Sequence, residues 1–282
     1  MKLALGTVQF GIDYGAFNAQ GQTPLTEVRT ILARAQQAGI CTLDTARAYG
    51  EAEAVLAATG APDNFNIITK CPALDGNDSD AASAVEAAFD TSCAALGVDR
   101  VHGYLLHNSR DLARPGVWDV LERLVSEKRV SRIGVSGYDV AEVAELATRF
   151  PLTLTQLPAN VLDPWYLSSP LPAPVEVHVR SAFLQGFLLS DPASLPSHFA
   201  PFRETLMNFR AQAAALDLTP LQAALAPLLA SSQIAQVVVG VETLAQLDDI
   251  LDAAAVVDER QDISFTPFPG VTTDLTDPRR WN

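Results

Sequence analysis

Four polar residues stand at or just beyond the ends of apolar runs in the first half of this chain. They are Asp44 and Tyr49 in TLDTARAYG, Lys70 in NIITK and His107 in GYLLHN. The apolar runs are typical of buried parallel strands, and the carboxyl ends of neighbouring parallel strands open onto one edge of a sheet. We therefore expect the four side chains to lie together. Such a set can supply a proton to a carbonyl oxygen at neutral pH.

The predicted chemistry depends on the pKa of the tyrosine. A free tyrosine has a pKa of about 10, a poor match to neutral pH, and a nearby ammonium group favours the phenolate and lowers that value. Lys70 is predicted to be this ammonium group, and Asp44 is predicted to keep Lys70 charged and oriented. His107 is predicted to hydrogen-bond the substrate oxygen and to fix its direction.

Each of the four residues also has a simple structural interpretation. Asp44 is a candidate cap for a following helix, and Tyr49 taken alone is more often a half-buried packing residue. A lysine at a strand end usually faces solvent, and a histidine such as His107 is more often a loop residue than a catalyst. Because all four occur in order at consecutive strand ends, the catalytic interpretation is favoured over these alternatives.

Short apolar runs alternate with longer alanine-rich stretches along the whole chain, and this alternation predicts the fold. The strand candidates are KLALG, ICTLD, FNIIT, HGYLLH, SRIGVS, LTLTQL, VEVHV and QVVVG. The helix candidates, with apolar residues three to four positions apart, include TEVRTILARAQQAG, DAASAVEAAFDTSCAALG, GVWDVLERLVSEK, DVAEVAELATRF and TLAQLDDILDAAA. Thr23-Pro24 and Thr243 are start signals for the first and last of these helices. The pattern predicts an α/β fold, a closed (β/α)₈ TIM barrel.

An open, doubly wound sheet is the alternative fold. It would usually carry a G-x-G-x-x-G phosphate loop between its first strand and a helix. The segment GTVQFG lacks that spacing, and we expect no helix directly after it. We predict a single domain over residues 1–282, with an extended loop at 163–174 after the sixth strand and a C-terminal tail at 262–282 laid over the barrel.

Composition limits the classes of partner. The 282 residues carry a net charge of −14, which disfavours binding to nucleic acid or to anionic membranes. The N-terminal run reads as a strand rather than as a signal peptide. The three cysteines show no paired spacing, so that neither a disulfide framework nor a metal site is expected, and a cytoplasmic location is predicted. We expect a monomer or a simple homo-oligomer.

The motifs around the four residues resemble those of the aldo-keto reductases. LDTARAYG is similar to the D-T-A-x-x-Y-G signature of that family, and ITK and LLHN supply its lysine and histidine. GTVQFG, IGVSG, TQLPANVLD and VVVGVETLAQLDDIL resemble further family segments over nearly the whole chain. The resemblance implies a barrel that binds NAD(P)H without a Rossmann domain and transfers a hydride to or from a carbonyl. It implies that Tyr49 is the general acid, tuned by Lys70 and Asp44, with His107 orienting the carbonyl.

The resemblance also implies a set of cofactor-binding residues. Ser136 and Gln156 match residues that hold the nicotinamide amide, and Gly186 with its neighbours matches the loop that takes the pyrophosphate. The full set is Thr7, Ser136, Gln156, Arg180, Ser181, Phe183, Gln185, Gly186, Gly240, Glu242, Thr243, Gln246 and Asp249. No metal ligand is implied.

Several residues depart from the family pattern. Gly137 replaces an asparagine that contacts the amide, Ile250 replaces an asparagine that often contacts adenine, and Arg180 stands where many members place an aromatic ring that stacks on the nicotinamide. A guanidinium plane can also stack, or it can reach an anionic substrate. GVETLAQLDDIL offers Glu242 and no Lys or Arg for a 2′-phosphate, which favours NAD over NADP.

The sequence predicts a carbonyl substrate, namely an aldehyde, a ketone or a sugar. The substrate site is expected to be lined by Phe10, Tyr14, Asn108, Trp165 and Tyr166. Two alternatives stay open. One is a cofactor-binding regulatory protein that senses redox state on the same barrel, and the other is a Schiff-base aldolase that uses Lys70 as its nucleophile. The paired carboxylate of Asp44 argues against the aldolase.

Overall fold

A computed structural model describes residues 1–76, 78–169, 171, 174–258, 260 and 263–281 and shows a closed barrel of eight parallel strands. The strands are β1 Leu3–Gly6, β2 Thr42–Asp44, β3 Asn66–Cys71, β4 Val101–Leu106, β5 Val130–Ser136, β6 Leu154–Pro158, β7 Glu176–Arg180 and β8 Gln236–Gly240. Each strand pairs with the next one in sequence, and β1 pairs with β8 from Leu3↔Val237 to Gly6↔Gly240, which closes the barrel. The predicted strands and the predicted TIM barrel are confirmed.

Helices surround the barrel. They are α1 Val8–Gly11, α2 Leu25–Gln37, α3 Ala52–Thr59, α4 Ala81–Leu96, α5 Val117–Ser126, α6 Val140–Arg149, α7 Arg203–Ala215, α8 Pro220–Ala230, α9 Leu244–Asp258 and α10 Thr273–Thr276. The five helix candidates correspond to α2, α4, α5, α6 and α9. As expected, no helix follows GTVQFG directly among the described residues, but its last four residues form the single helical turn α1, which begins two residues after β1. This turn is too short to show a helical period in the sequence.

The connection between β6 and β7 departs from the regular alternation. Its described residues contain the 3₁₀ turn Trp165–Leu167 and no α-helix, and Pro170, Pro172 and Ala173 of the predicted loop lie outside the described residues. Both α7 and α8 follow β7 instead. Their apolar faces build a second hydrophobic cluster beside the main core, around Phe187, Phe199 and Phe209.

The barrel interior is filled in layers, as in other barrels of eight strands. Ile68, Leu105 and Leu154 form one apolar layer. Gly103 leaves room for it, since a Cβ there would lie 2.9 Å from Leu154 Cδ2. Side chains alternate along a strand, so that Lys70, two residues after Ile68, is on the same face one layer nearer the carboxyl end. A polar layer therefore lies directly above the apolar one.

Local signals explain where several helices begin and end. Gly60 and Gly97 follow α3 and α4 in the left-handed conformation that favours glycine. Thr243 accepts a hydrogen bond from Gln246 N at the start of α9, as predicted. Thr23 does not cap α2, because its buried hydroxyl has no hydrogen-bond partner and Pro24 occupies the capping position.

Residues 263–281 lie against α7 and reach the carboxyl end of the barrel. Thr205 on α7 donates to Pro269 O at 2.8 Å, and Trp281 packs against Phe199. Asp262 and Asn282, the ends of the predicted tail, lie outside the described residues. No single helix in the described part of the chain is long and apolar enough to cross a membrane; the segments Ser197–Ala215 and Pro220–Ala230, bent by 79°, meet that length and composition only as a pair.

Candidate active site

The carboxyl ends of the strands bring the four predicted residues together. Asp44 is the last residue of β2, Lys70 is the last but one of β3, and His107 directly follows β4. Lys70 Nζ donates to both carboxylate oxygens of Asp44 at 2.8 Å and to Thr45 O at 2.8 Å. It also lies 3.4 Å from the phenol oxygen of Tyr49. The rings of Tyr49 and His107 meet edge to face, with centroids 5.9 Å apart.

The Asp44 carboxylate takes part in this cluster and caps no helix. Besides Lys70 it accepts a hydrogen bond from Gln156 Nε2 at 2.7 Å. Sequence reasoning assigned Gln156 to the cofactor and did not foresee this contact, which depends on the proximity of β2 and β6 across the barrel. Because the Asp44 carboxylate accepts hydrogen bonds from Lys70 and Gln156 and not from a helix end, the capping interpretation of this residue is wrong.

The pKa of Tyr49 differs from the predicted direction. Burial and the nearby Asp44 carboxylate raise it above the ordinary value, and the guanidinium of Arg180 opposes them. Lys70 was expected to lower this pKa. Its ammonium group forms an ion pair with Asp44, whose negative charge raises the pKa of the phenol. Tyr49 is therefore protonated at neutral pH, the state that a proton donor needs.

The environment of Lys70 and His107 also shifts their pKa values. Burial lowers the pKa of Lys70, while the Asp44 carboxylate raises it. Burial, together with the charges of Lys70 and Arg180, lowers the pKa of His107 to about 4. A neutral imidazole at pH 7 can donate a hydrogen bond to a carbonyl oxygen without adding a second full charge.

Two glycines place the loop that carries Tyr49. A Cβ on Gly11 would lie 1.8 Å from Tyr49 O and 2.4 Å from Ala52 N, so that only glycine allows α1 to approach this loop. Gly50 has a positive φ of 55° and its own Cβ would lie 2.7 Å from Gly11 O. Sequence reasoning did not identify this contact, because nothing in the local pattern shows which backbones approach one another.

A buried carboxylate behind this loop was also missed. Glu53 on α3 is fully buried and accepts hydrogen bonds from Thr69 Oγ1 at 2.7 Å and from Arg47 Nη1 at 3.0 Å. These contacts tie the loop to β3 next to Lys70. An acidic residue in the first turn of a helix is the only sequence signal, and it is common on exposed helices too.

A cavity of about 430 Å³ opens beside Tyr49 and extends along the strand ends. It is lined by most of the predicted cofactor residues, namely Thr7, Arg180, Ser181, Phe183, Gln185, Gly186, Gly240, Glu242, Gln246 and Asp249. Ser136, Gln156 and Thr243 are not part of its lining. The first two are buried, and Ser136 Oγ and Gln156 Oε1 have no hydrogen-bond partner among the described residues. Unpaired buried polar atoms of this kind fit a carboxamide that donates and accepts.

The segment after β7 has an unusual backbone. Ser181, Leu184, Gln185 and Gly186 all have positive φ angles, between 48° and 100°. For the non-glycine residues this conformation costs about 1–3 kcal/mol each and is typical of functional sites. Gln185 accepts a hydrogen bond from Ala16 N at 3.0 Å and donates one to Tyr14 Oη at 3.1 Å, which connects this segment to the α1–α2 loop across the cavity.

The start of α9 has few free hydrogen-bond donors. Glu242 N donates to Gln246 Oε1 at 2.7 Å and Gln246 Nε2 donates to Glu242 Oε2 at 2.8 Å. Leu244 N donates to Glu27 Oε1 of α2, also at 2.7 Å. A second carboxylate therefore lies at this helix end, and sequence reasoning did not foresee it because Glu27 is far away in the chain.

The predicted lining of the substrate site is wrong at Phe10 and Tyr166, whose side chains are fully buried. Only Tyr14 of the five predicted residues lines the cavity. Phe10 and Tyr166 are fully buried in the main core, Trp165 donates its indole N–H to Pro158 O, and Asn108 caps a 3₁₀ turn. The rings of these aromatic residues pack against the core, because the burial of large aromatic side chains contributes strongly to its stability.

The geometry disfavours the Schiff-base alternative. A nucleophilic lysine needs a neutral amine with open access to a carbonyl carbon. Lys70 is fully buried, and its ammonium hydrogens are directed to Asp44 and Thr45. Attack on a substrate would require the breaking of a buried ion pair, which is strongly unfavourable.

Comparisons with known proteins identify the family of this chain. The aldo/keto reductase family model matches residues 2–264. An aldo-keto reductase of Mycolicibacterium smegmatis is 29% identical over 184 residues, 61% of this chain and 64% of that protein, and the oxidoreductase YtbE of Bacillus subtilis is 37% identical over 62 residues, 22% of each. The matched regions thus span less than two thirds of both relatives.

Solved structures share the fold. An aldo-keto reductase of Pseudomonas aeruginosa superposes with a TM-score of 0.68 at 21% identity, covering 92% of this chain and 91% of that one. The aldo-keto reductase AKR11C1 of Bacillus halodurans, in its holo form, gives a TM-score of 0.71 at 20% identity, covering 93% and 88%. Since the family model extends over nearly the whole barrel and its strand ends, the chain belongs to the aldo/keto reductase family.

Proposed function

We propose that the protein is a nicotinamide-dependent oxidoreductase that transfers a hydride between NAD(P)H and a small carbonyl compound, with Tyr49 as the general acid. The observation that carries this proposal is the position of the Lys70 ammonium, 3.4 Å from the Tyr49 phenol and bound to both oxygens of Asp44. The ammonium charge of Lys70 therefore lies next to the oxygen that becomes negative when Tyr49 loses its proton. The cavity beside Tyr49 and the unpaired atoms of Ser136 and Gln156 support a bound nicotinamide amide.

The residues of the site divide the work of reduction. A bound reduced nicotinamide supplies the hydride. His107 donates a hydrogen bond to the carbonyl oxygen and fixes its direction. Tyr49 gives its proton to the oxygen as negative charge develops there, and an alkoxide is a strong enough base to take it even from a phenol of raised pKa. Lys70 stabilises the phenolate that remains, and Asp44 with Gln156 keeps Lys70 in place.

A substrate screen tests the proposal. Aldehydes, ketones and reducing sugars are each incubated with NADH and with NADPH, and oxidation of the cofactor is followed by its absorbance. Multiple turnovers with at least one carbonyl class are expected. Cofactor binding without any turnover across the panel would favour the redox-sensing alternative instead.

We further propose that NADH binds at least as well as NADPH. A 2′-phosphate needs cations or free N–H donors. At the start of α9 the amides of Glu242, Leu244 and Gln246 already donate to groups of the chain, and the carboxylates of Glu242 and Glu27 lie there. A carboxylate can instead accept hydrogen bonds from ribose hydroxyls.

Titration of both reduced cofactors by quenching of tryptophan fluorescence measures this preference. The Kd for NADPH is expected to equal or exceed that for NADH, and Glu27→Gln and Glu242→Gln are each expected to lower the Kd for NADPH more than that for NADH. Glu204→Gln, which removes a charge at the start of α7, is the matched control. It should leave the ratio of the Kd for NADPH to the Kd for NADH unchanged. A Kd for NADPH that is tenfold lower than for NADH in the wild type would contradict the proposal.

A further inference from the structure

Arg180 is a cation that lacks a counter-ion in the candidate active site. It ends β7, is half-buried and lines the cavity beside Tyr49. Its Nη2 donates to Gly137 O at 2.9 Å, and no carboxylate of the described residues forms an ion pair with it. Arginines elsewhere, such as Arg34 and Arg123, pair with carboxylates at 2.6 and 2.8 Å. A half-buried charge without a partner is costly unless a ligand supplies one.

The guanidinium of Arg180 is held in place by a stack. Its Cζ lies 4.1 Å from the ring centroid of Tyr138, and Cζ of Arg279 lies 3.6 Å from the same centroid. Two guanidinium groups this close to one ring have room only on opposite faces. Arg279 donates from Nε and Nη2, one edge of its guanidinium, to both carboxylate oxygens of Asp277 at 2.7–3.2 Å, so that its own charge is compensated. The stack orders Arg180 while it leaves the charge of Arg180 unpaired.

The position of Arg180 is next to the reacting groups. It lines the same cavity as Tyr49, and its charge acts to lower the pKa values of Tyr49, Lys70 and His107, against the larger effect of burial in the case of Tyr49. Among the described residues that line the cavity, it is the only Lys or Arg. Of the three acidic residues in the lining, Asp44 is paired with Lys70, while Glu242 lies between β8 and α9 and Asp249 lies on α9.

We propose that Arg180 binds an anionic group, a carboxylate or a phosphate, on the carbonyl substrate. This inference rests on the proposed reduction and narrows its substrate class to oxo acids and oxo phosphates. The planar guanidinium has free N–H donors beside the one used by Gly137, which suits an anion with two coplanar oxygens. Arg279 acts as a positioning residue, through Tyr138.

The cofactor is a less suitable partner for this charge. A reduced nicotinamide ring is neutral, and an oxidised ring is positively charged and would be repelled by a guanidinium. The pyrophosphate is expected at Gly186 and its neighbours, in the segment that follows Arg180. A substrate anion is therefore the group that best compensates Arg180.

Matched substrate pairs test the inference. Succinic semialdehyde is compared with butanal, and glyceraldehyde 3-phosphate with glyceraldehyde, so that carboxylate and phosphate are judged separately. The wild type is expected to show a kcat/KM about 10- to 100-fold higher for at least one anionic member than for its neutral partner, as for a charge-assisted hydrogen bond. Equal values within each pair would overturn the inference and leave the proposed reduction intact.

Variants assign the preference to Arg180. Arg180→Gln is expected to lower kcat/KM for the anionic substrates about tenfold or more beyond any loss for their neutral partners, chiefly through KM, and Arg180→Lys is expected to restore part of this preference. Arg149→Gln removes a charge that stacks on Phe150 at the end of α6, outside the cavity, and should leave the preference unchanged. An equal loss for anionic and neutral substrates, or a weaker binding of NADH in Arg180→Gln, would assign Arg180 to the common machinery or to the cofactor instead.

A binding measurement separates this inference from the proposed reaction. Succinamate and butanamide are unreactive analogues of the first substrate pair, and isothermal titration gives their affinity with and without NADH. The wild type is expected to bind succinamate more tightly than butanamide. Arg180→Gln is expected to bind both compounds weakly and with equal affinity. If no carbonyl is turned over but this difference appears, the reaction is wrong and the anion site stands; if the difference is absent, the anion site is wrong.

Discussion

At the scale of single residues, the candidate site is organised around one buried lysine whose ammonium group is fully hydrogen-bonded. Lys70 is fully buried, and Asp44, Thr45 and Tyr49 surround its ammonium. A buried charge is tolerated only with complete hydrogen bonding, which Asp44 provides with support from Gln156. The lysine therefore has one function left, to face the phenol of Tyr49. The types and the spacing of these residues could be read from the sequence, but the contact of Gln156 with Asp44 could not.

Replacement of Tyr49 by Phe tests the proton donor. Tyr49→Phe is expected to lower kcat about 10²- to 10⁴-fold, because the phenol is the donor beside Lys70, and to leave the Kd for NADH nearly unchanged. Tyr14→Phe removes a different phenol from the same cavity and should lower kcat much less. A Tyr49→Phe enzyme that keeps more than about a tenth of the wild-type kcat on a good substrate would refute the assignment.

The low pKa of His107 predicts a pH-dependent stability. The folded protein binds the proton on His107 with a pKa of about 4, whereas an unfolded chain binds it at about 6.5. As pH falls from about 6.5 toward 4, the unfolded state gains protons first, so stability contributed by neutral His107 is lost in this window. The melting temperature of the wild type is expected to fall more steeply there than that of His107→Gln.

Circular dichroism at a series of pH values measures this difference. His198→Gln, which replaces an exposed histidine, serves as the control and should follow the wild-type slope. Parallel curves for the wild type and His107→Gln between pH 6.5 and 4.5 would show that His107 is not buried in its neutral form.

At the scale of elements, loops rather than strands decide how the site is completed. The strands carry Asp44 and Lys70, but Tyr49 depends on the contact of α1 with its loop. The segment after β7 adopts left-handed backbone at Gln185, whose side chain contacts the α1–α2 loop through Tyr14. These elements are far apart in sequence and meet only because the barrel closes. Helical period predicts none of them, since each is shorter than the period needs.

A single added methyl group tests the loop contact. Gly11→Ala would bring Cβ within 1.8 Å of Tyr49 O, so that the loop must move. A displacement of about 1 Å at a catalytic group can cost on the order of 10²-fold in rate. We therefore expect kcat to fall about 10- to 100-fold.

Gly60→Ala is the control for Gly11→Ala. Gly60 ends α3 at a φ of 71°, and no atom lies within 4 Å of a Cβ placed there. This change should cost about 1 kcal/mol of unfolding free energy with little effect on kcat. If both variants change kcat alike when urea unfolding shows them folded, the close approach of Gly11 does not position Tyr49.

At the scale of the whole molecule, two large hydrophobic clusters lie outside the small apolar layer of the barrel interior. The main cluster joins the barrel to α2, α4, α5, α6 and α9. The second cluster lies under the segment after β7 and includes side chains from α7, α8 and the C-terminal residues. Phe199 is its centre, with ring centroids 5.3 Å from Phe17, 5.2 Å from Phe187 and 4.9 Å from Trp281. This cluster connects the wall of the cavity to the C-terminal segment.

Loss of the central ring should release this part of the molecule first. Phe199→Ala is expected to cost about 3–5 kcal/mol and to expose residues 263–281 to protease before the barrel unfolds. Limited proteolysis with mass spectrometry locates the first cuts. Phe89→Ala, a buried ring of the main cluster, should lower the global stability without selective cleavage there. First cuts distributed over the barrel helices in Phe199→Ala would show that the two clusters unfold as one.

The sequence by itself determined the strands, the barrel and which four polar residues meet in the candidate site. Each is marked by a local pattern, either an apolar run or a polar residue at its end, and parallel strands must bring those ends to one edge. Only the tertiary structure decided the direction of the Tyr49 pKa shift, the contact of Gln156 with Asp44 and the stack that holds Arg180. These depend on burial and on distances between residues far apart in sequence, which no local pattern encodes.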